Sequence, residues 1–177
     1  MTHGSTYSFR LDRIETPVGV MLVAQDGDER LRALDWEDHH PRMSRLLRLH
    51  YGDVELVRGD ASGAIGGALR DYLAGTLAAI DGIAVETGGT EFQRRVWREL
   101  RRIPVGTTVS YRELAGRIGR PDAVRAVGLA NGANPVSVVV PCHRVVGSDG
   151  SLTGYAGGLA RKRWLLSHEG VPEHAAR

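Results

Sequence analysis

The chain has 177 residues, one cysteine and a formal net charge of +2 from 23 basic and 21 acidic side chains. With 42% hydrophobic residues it can fill one generous core or two small ones, while a single cysteine excludes a disulfide framework and any Cys-x-x-Cys zinc or redox motif. Its apolar runs fall far short of the ~20 residues of a membrane helix, and no charged-then-apolar leader opens it, so a cytoplasmic chain with a reduced thiol and no membrane partner is expected.

The first half reads as a small α/β unit. Tyr7, Phe9 and Leu11 alternate with polar residues, Thr16-Pro17-Val18-Gly19 makes a turn, and Val20 to Ala24 supplies a partner strand. Asp26-Gly27-Asp28 turns the chain into a third strand bearing Leu31, Ala33 and Leu34. Met43, Leu46, Leu47 and His50 have helical spacing, with Gly52 placed to end that helix. A short strand over Val54 to Val57 precedes a second helix, capped by Ser62, with Ile65, Ala68, Leu69, Tyr72 and Leu73 as its apolar stripe. The pair His39-His40 has no further ligands nearby and reads as a solvated loop rather than a metal site. No catalytic cluster stands out here, so residues 1–87 are expected to be a scaffold domain.

Thr87-Gly88-Gly89 reads as a linker, and the charge changes sign there. Residues 1–90 hold 9 arginines against 14 acids, whereas residues 91–177 hold 13 arginines and one lysine against 7 acids. A basic half is the footprint of a nucleic-acid binder, or simply a preference for arginine as the cation. Thr90-Glu91-Phe92-Gln93 is a capping box opening a helix with Phe92, Val96, Leu100 and Ile103 inside, up to Pro104. Its other face carries Arg94, Arg95, Arg98, Arg101 and Arg102, either solvated or touching DNA. Ser110 to Glu113 is a second capping box, followed by Leu114, Ala115, Ile118 and a closing Gly119. Pro121 introduces a further short helix through Val124, Val127 and Ala130. Two short helices joined by Gly119-Arg120-Pro121 fit a helix-turn-helix with Arg125 on the polar side of the second helix, although helical hairpins of enzymes share that pattern.

The β-branched run Val136 to Val140 reads as a buried strand or extended segment that Pro141 ends just before the only thiol, Cys142. His143 and Arg144 follow directly, and cations beside a thiol favour the reactive thiolate. The competing reading is an inert buried cysteine. Consecutive side chains rarely face each other, so a water is expected to carry the proton between Cys142 and His143. Glu169 can hold the imidazole tautomer. It falls in the last turn of a helix running from near Gly158 to Gly170, where the helix dipole disfavours an acid, which suggests a task other than helix stability.

Five blocks now share one resemblance. Pro-Cys-His-Arg-Val-Val at 141–146, Arg-Ala-Val-Gly at 125–128, Ser-Tyr-Arg-Glu-Leu-Ala at 110–115, Gly-Tyr-Ala-Gly-Gly-Leu at 154–159 and Trp-Leu-Leu-Ser-His-Glu-Gly at 164–170 resemble, in order and spacing, the O6-alkylguanine-DNA alkyltransferase family. The resemblance spans about residues 90–170. It implies an α+β chain: a strand-rich N-terminal α/β domain over 1–87, then a mainly helical C-terminal domain over 90–177 with a (winged) helix-turn-helix. It also implies direct-reversal DNA repair, in which the helix-turn-helix docks in the minor groove and the lesion is flipped from a stack that shields O6. Cys142 would attack the alkyl carbon, with His143 taking the thiol proton through water and Glu169 holding His143. Arg125 would fill the vacated space, and Tyr111 would displace a phosphate and hydrogen-bond the base. Asn134 would tie the turn to the active-site loop. Val145 and Ala156 would read guanine edges through their backbone, Tyr155 would form a pocket wall, and Asn131 would join the substrate- and DNA-binding set.

The expected partner is duplex DNA carrying O6-alkylguanine, with O4-alkylthymine as a second lesion, acted on once per molecule because nothing in the sequence can cleave an S-alkyl bond. The chain is expected to be a monomer, with cooperative assembly on DNA left open, and to need no cofactor and no metal. Tyr155-Ala156 departs from the Tyr-Ser of some members, the first half lacks the cysteines of a zinc site, and there is no room for the sensor domain of adaptive-response members. Cys142 also separates the chain from alkyltransferase-like proteins, which lack the cysteine. Two other readings fit the same residues: a DNA-binding protein without chemistry, and a Cys/His thiol hydrolase.

Overall fold

A computed structural model describes residues 6–172, and the chain divides into two compact units after Gly89. In the first unit, β1 (Tyr7–Thr16), β2 (Gly19–Gln25), β3 (Leu31–Trp36) and β4 (Val54–Arg58) form one sheet in the order β3-β2-β1-β4. The β1–β2 and β2–β3 pairs are antiparallel, as short turns require, while β4 returns parallel to β1 after helix α1 (His40–Tyr51). The register puts Leu11, Leu22, Ala24 and Ala33 on one face, where Met43 and Leu47 of α1 pack with Phe9. The opposite face carries Ile14, Met21, Val23, Leu34 and Trp36, all buried, and α2 (Ala64–Leu73) packs on β1. With both faces covered, β3 is buried at every residue and the period-two pattern is lost.

Two sequence expectations need correction in this unit. Ser62 does not cap α2: the N-cap is Gly63, and both the Ser62 amide and hydroxyl bond Asp60 in a local turn, so the hydroxyl is already committed. His39 and His40 lie where a 3-10 turn (Glu37–His39) runs into α1, not in a loop.

The second unit is mainly helical: α3 (Glu91–Leu100), α4 (Tyr111–Arg117), α5 (Val124–Gly132) and α6 (Leu159–His168). Both expected capping boxes form. Thr90 Oγ1 accepts from the Gln93 amide at 3.1 Å and Ser110 Oγ from the Glu113 amide at 3.0 Å, with each N3 side chain reaching back. Gly119 sits between α4 and α5 with φ +71°, a left-handed conformation open to glycine at little cost. Trp97 Nε1 donates to the Ala130 carbonyl at 2.8 Å, pinning α3 to α5. The two-residue strands β5 (Val109–Ser110) and β6 (Val145–Val146) pair in parallel. No antiparallel hairpin that would form a wing occurs among the described residues of this unit.

Candidate active site

The β5–β6 pair places the N-terminus of α4 beside the chain that leaves Cys142. Upstream, residues 136–140 are buried but are not the extended segment expected from their β-branched side chains. They form a string of tight turns, with Val139 N–H donating to Ser137 O and Val140 N–H to Val136 O, and Val138 held at φ +70°. A β-branched residue is strained there, and the surrounding structure must impose it. Asn134 does so: its Nδ2 donates to Val140 O at 2.8 Å and its Oδ1 accepts from Val136 N–H at 2.9 Å, clasping the turn at both ends.

Cys142 opens a 3-10 turn (Cys142–Arg144) and is only 4% exposed. It reaches a cavity of about 180 Å³ lined by Tyr111, Gly128, Asn131, Gly132, Gly154, Tyr155 and Ala156. His143 does not line that cavity, and its Nε2 lies 2.9 Å from Glu169 Oε1. Arg144 grips the same carboxylate twice, Nε to Oε2 at 2.9 Å and Nη2 to Oε1 at 2.8 Å, and gives Nη1 to Ile103 O at 2.7 Å. All three side chains are buried.

Burial alone would raise the Glu169 carboxyl, but attraction to His143 and the charged hydrogen bonds from Arg144 win and hold it far below the usual carboxylate range. Glu169 is therefore ionised and accepts from Nε2–H. Burial pushes His143 below its ordinary pKa, outweighing the pull of Glu169, and the charges of Arg144 and Lys162 add to the depression. His143 is thus neutral near pH 7 with its proton on Nε2. Its Nδ1, buried and without a partner among the described residues, is left as the basic nitrogen.

The sequence-derived site residues form two clusters, with Arg125 and Val145 apart from both. Cys142, Tyr111, Asn131, Tyr155 and Ala156 meet around the cavity, and Asn131 Nδ2 also contacts the Cys142 carbonyl at 3.5 Å. His143, Glu169 and Asn134 stand behind the thiol as a buried support. Arg125 is exposed on α5 and does not line the cavity. The backbone of Val145 is already engaged: its N–H donates to Cys142 O and its carbonyl accepts Lys162 Nζ at 2.6 Å, leaving one carbonyl lone pair for any ligand. Glu169 is the C-cap of α6 rather than a residue of its last turn, so its side chain is free to turn inward.

Two further residues belong to the site. In the sequence Arg144 reads only as a cation beside the thiol, yet it fixes Glu169. Lys162 is fully buried, with Nζ donating to Val145 O at 2.6 Å and Gly154 O at 3.1 Å, so it ties the segment after Cys142 to the loop carrying Tyr155 and Ala156. Burial lowers its pKa to about 8 against the opposing attraction of Cys142. A signal was present, since Lys162 is the only lysine in the chain. An ammonium is a compact point charge that a guanidinium fork cannot replace in a tight pocket.

Residues 91–171 match the family model described as 6-O-methylguanine DNA methyltransferase, DNA binding domain. The chain is 53% identical over 161 residues to a methylated-DNA--protein-cysteine methyltransferase of Salmonella typhimurium, covering 90% of this chain and 94% of that protein. It is 57% identical over 156 residues to the protein of the same name from Mycolicibacterium paratuberculosis, covering 88% and 89%. The crystal structure of Mycobacterium tuberculosis OGT in complex with DNA superposes with a TM-score of 0.76 at 40% identity, covering 93% of this chain and 96% of that one.

Proposed function

The chain belongs to the methylated-DNA–protein-cysteine methyltransferase family, which repairs DNA by transferring an alkyl group to cysteine, and we propose that in this member the acceptor is Cys142 and the substrate O6-alkylguanine in duplex DNA. Cys142 is the chain's only thiol, and it lies at a cavity scaled to one base rather than a base pair. The lesion is therefore flipped to reach it. Arg125, exposed on the second helix of the helix-turn-helix, fills the gap left in the stack. Tyr111, at the N-terminus of α4 and on the cavity wall, displaces a phosphate and hydrogen-bonds the base. Asn131, Tyr155, Ala156 and the spare lone pair of Val145 O complete the pocket.

The chemistry follows from the proton inventory. The Cys142 proton passes through a water to His143 Nδ1, and the resulting imidazolium is stabilised by ionised Glu169, which Arg144 holds in place. The thiolate attacks the alkyl carbon in line, an S–C bond forms as the C–O6 bond breaks, and the released electron pair returns to guanine, which takes up a proton. The charge of Lys162 attracts that of Cys142 and so favours the thiolate. The product is a thioether, and among the described residues no group is placed to cleave it, so each molecule acts once. O4-alkylthymine presents the same alkyl–oxygen bond on an aromatic ring and is the second substrate. In this reading the second unit holds the DNA-binding and chemical machinery, and the first is its support.

The observation that carries the proposal is the buried Glu169–His143 pair that leaves Nδ1 as a free acceptor behind the only thiol. Titrating a fixed amount of protein with O6-methylguanine duplex tests it. Repair is expected to stop at one lesion per protein, and continued turnover in substrate excess would overturn it.

A further inference from the structure

The outward face of α3 remains without a role. Val96, Trp97 and Leu100 bury one side of this helix, while Arg94, Arg95 and Arg98 are exposed on the other and Arg102 follows one turn on. Arg102 is paired with Glu99 at 3.3 Å, but Arg95 and Arg98 form no ion pair among the described residues. Holding such like charges within two turns costs stability, and only a partner of opposite charge offsets it. Glu113 is committed to the Ser110 cap, Asp122 to Arg120 and Glu99 to Arg102, and Glu91, one turn before Arg95, forms no ion pair with either arginine among the described residues.

This face is fixed relative to the helix-turn-helix. Trp97 Nε1 locks α3 onto the Ala130 carbonyl of α5. On the outer side, Arg95 Nη2 reaches the turn between α4 and α5, 3.6 Å from where a Cβ on Gly119 would stand. Exposed Arg117 and Arg120 flank that turn, Arg120 beside Asp122, so arginines extend from α3 to the end of α4. Both helices of the helix-turn-helix are packed on α3, so a duplex seated on them passes beside this face.

We propose that Arg95 and Arg98 form a phosphate-binding track that grips the backbone of the same duplex beyond the segment held by α4 and α5. Guanidinium forks suit phosphate oxygens, and each phosphate neutralised releases condensed counterions. The track adds affinity without reading sequence or lesion.

The inference rests on the DNA-facing assignment of α4 and α5, and the test separates the two. Binding of R95A/R98A and wild type is measured against salt on a duplex that extends past the helix-turn-helix and on one trimmed to its footprint. On the long duplex the slope of log K against log salt should fall in magnitude by about 2 in the variant, at ~0.9 per phosphate. On the trimmed duplex the two proteins should match, and reaction with free O6-benzylguanine should be unchanged. An unaltered slope on the long duplex overturns the track, and an equal fall on both duplexes places these arginines inside the groove footprint and overturns it too. Arg125→Ala is run alongside. If it slows repair of duplex but not of the free base while R95A/R98A changes nothing, only the track fails; if it slows neither, the assignment beneath the track fails.

Discussion

Replacing Glu169 by glutamine keeps the side chain's shape and removes its charge, which isolates what the carboxylate does. In the wild type it accepts from His143 Nε2 and twice from Arg144, at 2.8 to 2.9 Å. With glutamine there, the buried guanidinium keeps the Ile103 carbonyl and one neutral amide oxygen but loses its counter-charge. Breaking one side of a buried ion pair costs about 3–5 kcal/mol, and Coulomb's law for charges ~4 Å apart at an effective dielectric of ~20 gives about 4 kcal/mol. The two routes agree. The chemical effect is separate. Oε1 serves both His143 Nε2 and Arg144 Nη2 while Oε2 serves Arg144 Nε, so in either orientation the amide NH2 group meets a donor, and the imidazolium formed at His143 loses the negative charge that stabilises it. His143 is then a weaker acceptor of the thiol proton. Losing a general base costs roughly 10²–10⁴ in rate. Single-turnover methyl transfer from duplex, with circular dichroism to confirm folding, measures this. A folded Glu169→Gln variant that reacts at the wild-type rate would refute the role given to the Glu169–His143 pair.

Acidification should destabilise the protein in two stages. The unfolded chain takes up a proton at His143 more readily than the folded one, so stability is complete above about pH 6.5 and is lost as pH falls toward the depressed folded pKa. Glu169, also depressed, adds a further loss in the carboxylate range. Urea titrations across this span check the sign, and stability that rises on acidification contradicts it. Asn134→Ala leaves the Val136 amide unsatisfied in a buried turn and strips the Val140 carbonyl of one of its two donors, the other being the Cys142 amide, for a loss of about 2–4 kcal/mol by thermal or urea unfolding. Lys162→Met keeps much of the volume but removes a cation that attracts the Cys142 thiolate and the donor from two carbonyls. The pH profile of iodoacetamide labelling of Cys142 should move upward, and an unmoved profile means Lys162 serves packing alone.

Local chemistry carried much of the fold. Thr90 with Gln93 and Ser110 with Glu113 announce helix starts because each capping box is complete within four residues. The turns at Gly19 and Asp26 likewise fix the antiparallel strands. Local reading failed where distant contacts decide. Val136 to Val140 has strand chemistry, yet Asn134 and burial impose turns on it, including a valine at positive φ. Ser62 has the right chemistry for a cap, but Asp60 takes its hydroxyl. In the site, Cys142, His143 and Glu169 were legible because adjacency and a misplaced acid are visible along the chain. Arg144 reaches Glu169 across 25 residues and Lys162 reaches Val145 across 17, distances at which sequence spacing says nothing of contact.

The central claim is that Cys142 itself takes and keeps the alkyl group. Peptide mass mapping of the wild-type protein after incubation with excess O6-methylguanine duplex tests it most directly. The account predicts a single methyl on the peptide containing Cys142, an equal amount of restored guanine, and neither in Cys142→Ala. A methyl on another residue, or guanine restored with the cysteine unmodified, would contradict it.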